Sequence, residues 1–204
     1  ETKAQVTLDA RFVEVPDSVL KRIGAGWLVS GTESVNGVLT PDQSKQLLEA
    51  LTQRDGVDVL SVPRVTTLNG RQAQVALPLG VTDETLGCIV DMIPCFSLET
   101  SSFELTVLAE VRSLFETINS QGQHVREVRP LKALASQRLF DGQTLILRVA
   151  WKDADQRVTK RTPEHATDEV GAAKAPERVE VPGPRSLLVL ITVWLVDAAG
   201  NSLH

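Results

Sequence analysis

Residues 57–75 read VDVLSVPRVTTLNGRQAQV. Two β-rich runs, DVLSV and RVTTL, are broken by Pro63, and a third, QAQVAL, follows Asn69-Gly70. Asn-Gly between such runs predicts a two-residue type I′ hairpin, because both residues tolerate the positive φ that this turn requires. Pro63 cannot donate to a ladder, so it belongs at a strand start, a bulge or an edge. Val65 and Thr67 then face one way and Thr66 and Leu68 the other. In the return strand Ala73, Val75 and Leu77 oppose Gln72, Gln74 and Ala76. One apolar and one mostly polar side predict a sheet with a single buried face.

Upstream, residues 4–15 alternate Val6, Leu8, Ala10 and Phe12 against Thr7, Asp9 and Arg11, a strand pattern. Pro16-Asp17 opens a short helical segment with Val19, Leu20 and Ile23 at helical spacing, ended by Gly24 and Gly26. Trp27-Leu28-Val29 predicts another short strand, and residues 30–37, SGTESVNG, a loop. The clearest helix begins at Thr40. Thr40 is a good N-cap, Pro41 suits the first helical position, and Gln43 completes a capping box. Leu47, Leu48 and Leu51 form its apolar stripe, and Gly56 closes the segment.

Downstream, residues 81–102 carry irregular apolar positions and receive no assignment. Phe103–Val111 alternates as a strand. Residues 119–123 read as a turn, followed by a return strand over 124–129 and a separate strand over 133–139. Asp141-Gly142 marks a turn before a strand over 143–151. Residues 152–184 are rich in charge, Pro and Ala and poor in large apolar groups, which predicts an exposed loop. Leu187–Val196 is apolar on both faces, so it should be central and covered on both sides.

At 204 residues, with 42% hydrophobic and 23% charged residues, the chain suits one globular domain over 1–204. The net charge of −5 and the lack of a long basic run disfavour nucleic acid. Aromatics at 4% disfavour stacking platforms and aromatic girdles. No apolar stretch is long enough for a transmembrane helix.

His124, His165 and His204 form no metal-ligand spacing, and His165 with Asp168 and Glu169 reads as a solvated cluster. No nucleophile elbow or phosphate loop is present. The chain carries no pattern for catalysis, a cofactor or a metal. Cys88 and Cys95 leave two arrangements open. On a continuous strand their odd separation places them on opposite faces, and two buried free thiols are preferred. A bend at Pro94 would instead permit a disulfide, worth about 2–3 kcal/mol. Trp27, Trp151 and Trp194 adjoin apolar segments and are assigned to core packing rather than to a ligand cage.

GVDVLSVPRVTTLNGRQAQV resembles the signature of the secretin core domain, the family of ring-forming outer-membrane channels of bacterial type II and III secretion and pilus systems. The matching residues are Val59, Leu60, Ser61, Pro63, Arg64, Val65, Asn69 and Gly70. Other pieces follow in the family's order: VTLDARFVEV, LTPDQSKQLLEAL, FELTVLAEV, LFDGQTLIL with Asp141 and Gly142, and LLVLITVWLVDAAGN. The resemblance implies that the strand before Pro63 and the 64–77 hairpin share one sheet. It implies a non-enzymatic domain that contributes to protein secretion or transport by ring-type self-assembly. It places the chain in the bacterial envelope, periplasm or outer membrane, with the cytoplasm left open.

The partners so implied are copies of the chain or other envelope proteins, with membrane association only in an assembled form. The departures are a charged 152–184 segment in place of a Pro-Leu-Gly stretch, and a short interval between Val111 and Ala133 interrupted by Arg112, Glu116, His124, Arg126, Glu127 and Arg129. The alternative is a soluble interaction module of the same fold that forms no pore. The expected architecture is α+β: a mainly antiparallel sheet, two-layered or curled, with one or two short helices packed on it.

Overall fold

The computed structural model describes residues 5–30, 35–78, 87–118, 124–150, 184–197 and 199–201. The elements are β1 (Gln5–Pro16), α1 (Asp17–Arg22), a 3-10 turn (Gly26–Val29), β2 (Val35–Leu39), α2 (Pro41–Thr52), β3 (Asp58–Ser61) and β4 (Arg64–Leu68). There follow β5 (Ala73–Pro78), β6 (Gly87–Ser97), β7 (Ser102–Ile118), β8 (His124–Leu139), β9 (Thr144–Ala150) and β10 (Arg185–Val196). The fold is α+β, with antiparallel strands in two sheets. The first sheet has the order β2-β9-β10-β1-β3, with β4 also on β1, and the second has the order β5-β6-β7-β8.

The alternation in β1 shows why the sheets stack. Val6, Leu8, Ala10 and Phe12 point to one side, where Leu145, Leu147, Val189, Ile191 and Val193 join them. The second sheet brings Val90, Met92, Phe103, Leu105, Val107 and Ala135 to the same interface. On the other side of the first sheet, Val13, Val15, Ile146, Leu188 and Leu190 pack against Leu20, Leu28 and Leu51 of the helical layer. Each fully buried side chain of this size contributes about 1.5–3 kcal/mol of transfer free energy. The order is therefore helices, first sheet, second sheet. β10 is central and buried on both faces, as its two-sided sequence predicts.

Thr40 caps α2 through its hydroxyl to Gln43 N–H (3.3 Å), and Gln43 Oε1 accepts from Thr40 N–H (2.9 Å), completing the box. Other expectations are corrected. Trp27–Val29 forms a 3-10 turn rather than a strand, and the end of the nominal loop, residues 35–37, is the start of β2. Residues 124–129 and 133–139 belong to one strand, β8, paired throughout with β7. Unassigned residues 87–97 form β6. Trp27 is 44% exposed and Trp194 half-buried, so neither is core. Each instead lies over a glycine: a Cβ at Gly37 would stand 2.9 Å from the Trp27 ring, and one at Gly142 would stand 3.1 Å from the Trp194 ring. Residues 119–123, Trp151, and all of 152–184 except Pro184 lie outside the described residues, as do His165, Asp168, Glu169 and His204.

A charged group sits inside the apolar run of β9. Arg148 is 4% exposed; its Nε donates to Ser186 Oγ (2.7 Å) and its guanidinium pairs with Asp17 at 3.1 Å. Burial of a charge is tolerable only with such partners. Arg185 similarly pairs with buried Glu14 (2.7 Å) and donates to the Gly56 carbonyl (2.7 Å). These contacts tie the start of β10 to β1, α1 and the α2–β3 connection.

Candidate functional site

The motif residues do not converge on one constellation. They organise an edge and two passages between sheets. Val59 and Ser61 of β3 face Val13 and Phe12 of β1, with a register shift between the two pairs. Val59 is 47% exposed, whereas Leu60 and Val65 pack partly against the core between the sheets. Pro63 sits between β3 and β4, where its carbonyl accepts from Ala10 N–H (3.0 Å). β4 then resumes pairing with β1 from Arg64 to Leu68. The strand before Pro63 and β4 after it therefore share one sheet, but β5 lies in the other, so the expectation that the strand before Pro63 and the whole 64–77 hairpin share one sheet is corrected. Arg64 grips the Asp9 carboxylate through Nε and through its terminal nitrogen (2.8 Å). This partner raises the guanidinium pKa above its ordinary value.

The expected hairpin at Asn69-Gly70 does not form. β4 lies in the first sheet and β5 in the second, so the turn carries the chain from one sheet to the other. Arg71 N–H donates to the Leu68 carbonyl (2.9 Å), with Gly70 at φ +74°. Asn69 is not at positive φ, so the turn is type II, with the glycine at its third position, rather than type I′. The destination sheet holds it. Asn69 Oδ1 accepts from Phe96 N–H (2.6 Å), its Nδ2 donates to the Phe96 carbonyl (3.1 Å), and Gly70 N–H donates to the Pro94 carbonyl (2.8 Å). The amide side chain acts as a surrogate strand residue where the β5 ladder on β6 has ended.

Asp141-Gly142 repeats the device on the way back. β8 belongs to the second sheet and β9 to the first. Gln143 N–H closes the turn on the Phe140 carbonyl (3.0 Å), with Gly142 at φ +77°. Asp141 Oδ1 accepts from Leu195 N–H (2.6 Å), and Gly142 N–H donates to the Val193 carbonyl (2.9 Å). In both passages an Asx side chain and the next glycine's N–H grip the destination sheet, on the strand that pairs with the incoming one. Sequence reasoning found both turns but missed the anchors Pro94, Phe96, Val193 and Leu195. It also missed the Arg148–Asp17–Ser186 network, although an arginine inside TLILRVAW is a visible signal.

Cys88 and Cys95 are free cysteines on the continuous strand β6, on opposite faces, with no disulfide between them. Cys88 is buried and Cys95 exposed, which corrects the expectation of two buried thiols. Burial pushes the Cys88 thiol up to about 12. On the outer face of the second sheet, Glu110 lies below the usual carboxylate range because Arg112 (2.7 Å) and Lys132 (3.1 Å) bind it. Among the described residues no group of three His, Cys, Asp or Glu side chains is placed to hold a metal, and no helix is long and apolar enough to cross a membrane.

No protein-family model matches the chain, and no curated protein matches it. Among solved structures it is similar to the type II secretin GspD from enteropathogenic Escherichia coli, at 16% identity and a TM-score of 0.39, over 96% of this chain and 70% of that one. It is similar to the ETEC pilotin–secretin complex AspS–GspD, at 17% identity and a TM-score of 0.39, over 97% of this chain and 50% of that one. Aeromonas hydrophila ExeD is similar at 16% identity and a TM-score of 0.38, over 97% and 49% of the two chains. The chain thus spans 70% of the first of these and about half of the other two.

Proposed function

We propose that this chain is a non-enzymatic structural module of a bacterial envelope assembly, contributing to protein secretion by pairing strand edges between copies in a ring. The ordered motifs around Pro63, Asn69-Gly70 and Asp141-Gly142 support the family relationship. The observation that carries the assembly is the contrast between sheet edges. At one edge of the first sheet, β3 carries a register shift between Val59 and Ser61 and is separated from β4 at Pro63, devices that discourage further pairing. The opposite edge strand, β2, has only five residues. The second sheet ends on β8, which has 16 residues and no strand beyond it among the described residues. Beside that edge Leu134 is 64% exposed, in register with Leu108 at 37%. A long strand edge with apolar neighbours is a template for another chain.

Light scattering and negative-stain microscopy of the detergent-extracted protein test this reading. Closed rings are expected, because heterologous edge pairing that closes leaves no β8 edge open. A monodisperse monomer in every condition overturns it. A second reading, a module that pairs with a different envelope protein and forms no pore, is favoured by the charged residues Arg112, Glu116, Arg126, Glu127 and Arg129 in the arms of the β7–β8 hairpin. It predicts discrete one-to-one complexes instead of rings.

A further inference from the structure

The helical layer covers only part of the first sheet. Over the covered part the sheet is apolar apart from Arg148 and Ser186, which bind Asp17 of α1. Beyond it the same face of β1, β9 and β10 presents Arg11, Thr144, Thr192 and Trp194. α2 passes over this margin with Pro41, Ser44, Lys45 and Leu48, leaving a groove of about 410 Å³. This lies in the lower range of small-molecule sites, roughly 300–1,000 Å³.

The hydrogen-bonding inventory of the groove is one-sided. Its neutral hydroxyls are largely satisfied: Thr144 and Thr192 bond each other (2.8 Å), and Thr52 donates to the Glu49 carbonyl (3.2 Å). Ser44 is the exception. The residue is 7% exposed, and its hydroxyl, which makes no hydrogen bond among the described residues, is open to solvent at the groove. Arg11, Lys45 and the Trp194 indole N–H also have no partner among those residues, and Glu49 is the one carboxylate in the lining. Donors therefore exceed acceptors, and two of the donors are cations. The apolar lining comes from Pro41, Leu48, Val59 and Trp194. The Trp194 ring lies against Gly142, and Pro41 and Leu48 face the same space.

We propose that this groove binds a small organic carboxylate with a flat or short apolar body. Arg11 and Lys45 hold the carboxylate, Ser44 donates to it, and the body lies along Trp194. A guanidinium fork suits a carboxylate, and an indole face suits an apolar body. Motif residue Gly142 takes part because any side chain there would fill the space beside the ring.

Phenylacetate is the probe, with 2-phenylethanol and 2-phenylethylammonium as matched controls. Amide and indole NMR spectra are followed during titration, with the Trp194 indole signal assigned by Trp194→Phe. Phenylacetate should give saturable shifts at the Trp194 indole and the Ser44 and Lys45 amides. Binding should be at least tenfold weaker for the alcohol and absent for the ammonium. The double variant Arg11→Gln/Lys45→Gln changes two exposed side chains and should keep the remaining spectrum while weakening phenylacetate at least tenfold. Equal binding of acid and alcohol overturns the proposal. So do undiminished binding by the double variant, and shifts that never saturate or fall elsewhere. The assembly reading does not depend on these outcomes, since the groove lies on the first sheet and the β8 edge on the second.

Discussion

The two passages between the sheets are built alike and surrounded differently. At residues 68–71 and 140–143 the chain makes a type II turn, with Asn or Asp second and glycine third. In both, the Asx side chain and the glycine N–H bind the destination sheet. Around Gly70 nothing lies within 4 Å of where a Cβ would stand, whereas Gly142 lies under Trp194. Asn69 satisfies both backbone groups of Phe96 through exposed hydrogen bonds, while Asp141 accepts the Leu195 N–H at a part-buried position. Backbone conformation is therefore common to the two, and packing separates them. The first passage depends on its amide; the second depends also on the fit between its turn and the indole.

Alanine at the two glycines is the severest test of that distinction. Gly70→Ala meets only the left-handed penalty and should cost about 1–2 kcal/mol. Gly142→Ala meets the same penalty plus a clash with the ring and should cost about 2–4 kcal/mol. Urea unfolding should show both as lower midpoints at unchanged slope. Equal losses would mean that the indole yields freely and that the two passages are equivalent.

The anchoring side chains should follow in the same order. Asp141→Ala leaves the Leu195 N–H without its acceptor at a part-buried site, at a cost of about 2 kcal/mol. Asn69→Gly removes two exposed bonds to Phe96 and should cost about 1 kcal/mol. The second substitution also separates the observed turn from a type I′ hairpin. Glycine fits both central positions of a type I′ turn, so a neutral Asn69→Gly would revive the hairpin geometry.

Much of this fold is legible because burial writes a pattern. β1 alternates, β10 is apolar on both faces, and Thr40, Pro41 and Gln43 spell out the start of α2. What fails is pairing. Asn69-Gly70 marks a turn, but its sequence suits several types, and the partner of the next strand is decided by Phe96 and Pro94 far along the chain. β6 shows a different failure. Cys88, Val90, Met92, Pro94 and Phe96 do alternate, yet Ile89 and Ile93 on the other face blur the period. Pro94 also argues against a central strand. It is accommodated because β5 has ended opposite it, so that only its carbonyl is needed, by Gly70. The motif at the passages was visible as residues; its function as an inter-sheet anchor was not, because both receiving strands are distant in sequence. The groove residues Arg11, Lys45 and Trp194 come from three separate elements, and no local spacing links them.

Cys95 gives the finest probe of the comparison, because it lies between Pro94 and Phe96, the two residues that receive the first passage. It is exposed, whereas Cys88 on the same strand is buried with its thiol pushed up to about 12. Only a thiolate reacts readily, so an aromatic disulfide reagent at pH 8 should label one thiol in the folded protein and the second only as the chain unfolds. Loosening the first passage with Asn69→Gly should raise the Cys95 rate a few-fold, because the backbone on both sides loses its tether. Asp141→Ala should leave that rate unchanged, although it lowers global stability more. The Cys88 rate should instead follow global stability in both variants. The raised Cys88 pKa also carries a sign. Its contribution to stability is complete below the unfolded value near 8.5 and is lost as pH rises from there towards about 12. Labelling at pH 8 therefore precedes that loss. If Cys95 responded equally to both variants, the two passages would be coupled through the sheets rather than anchored separately.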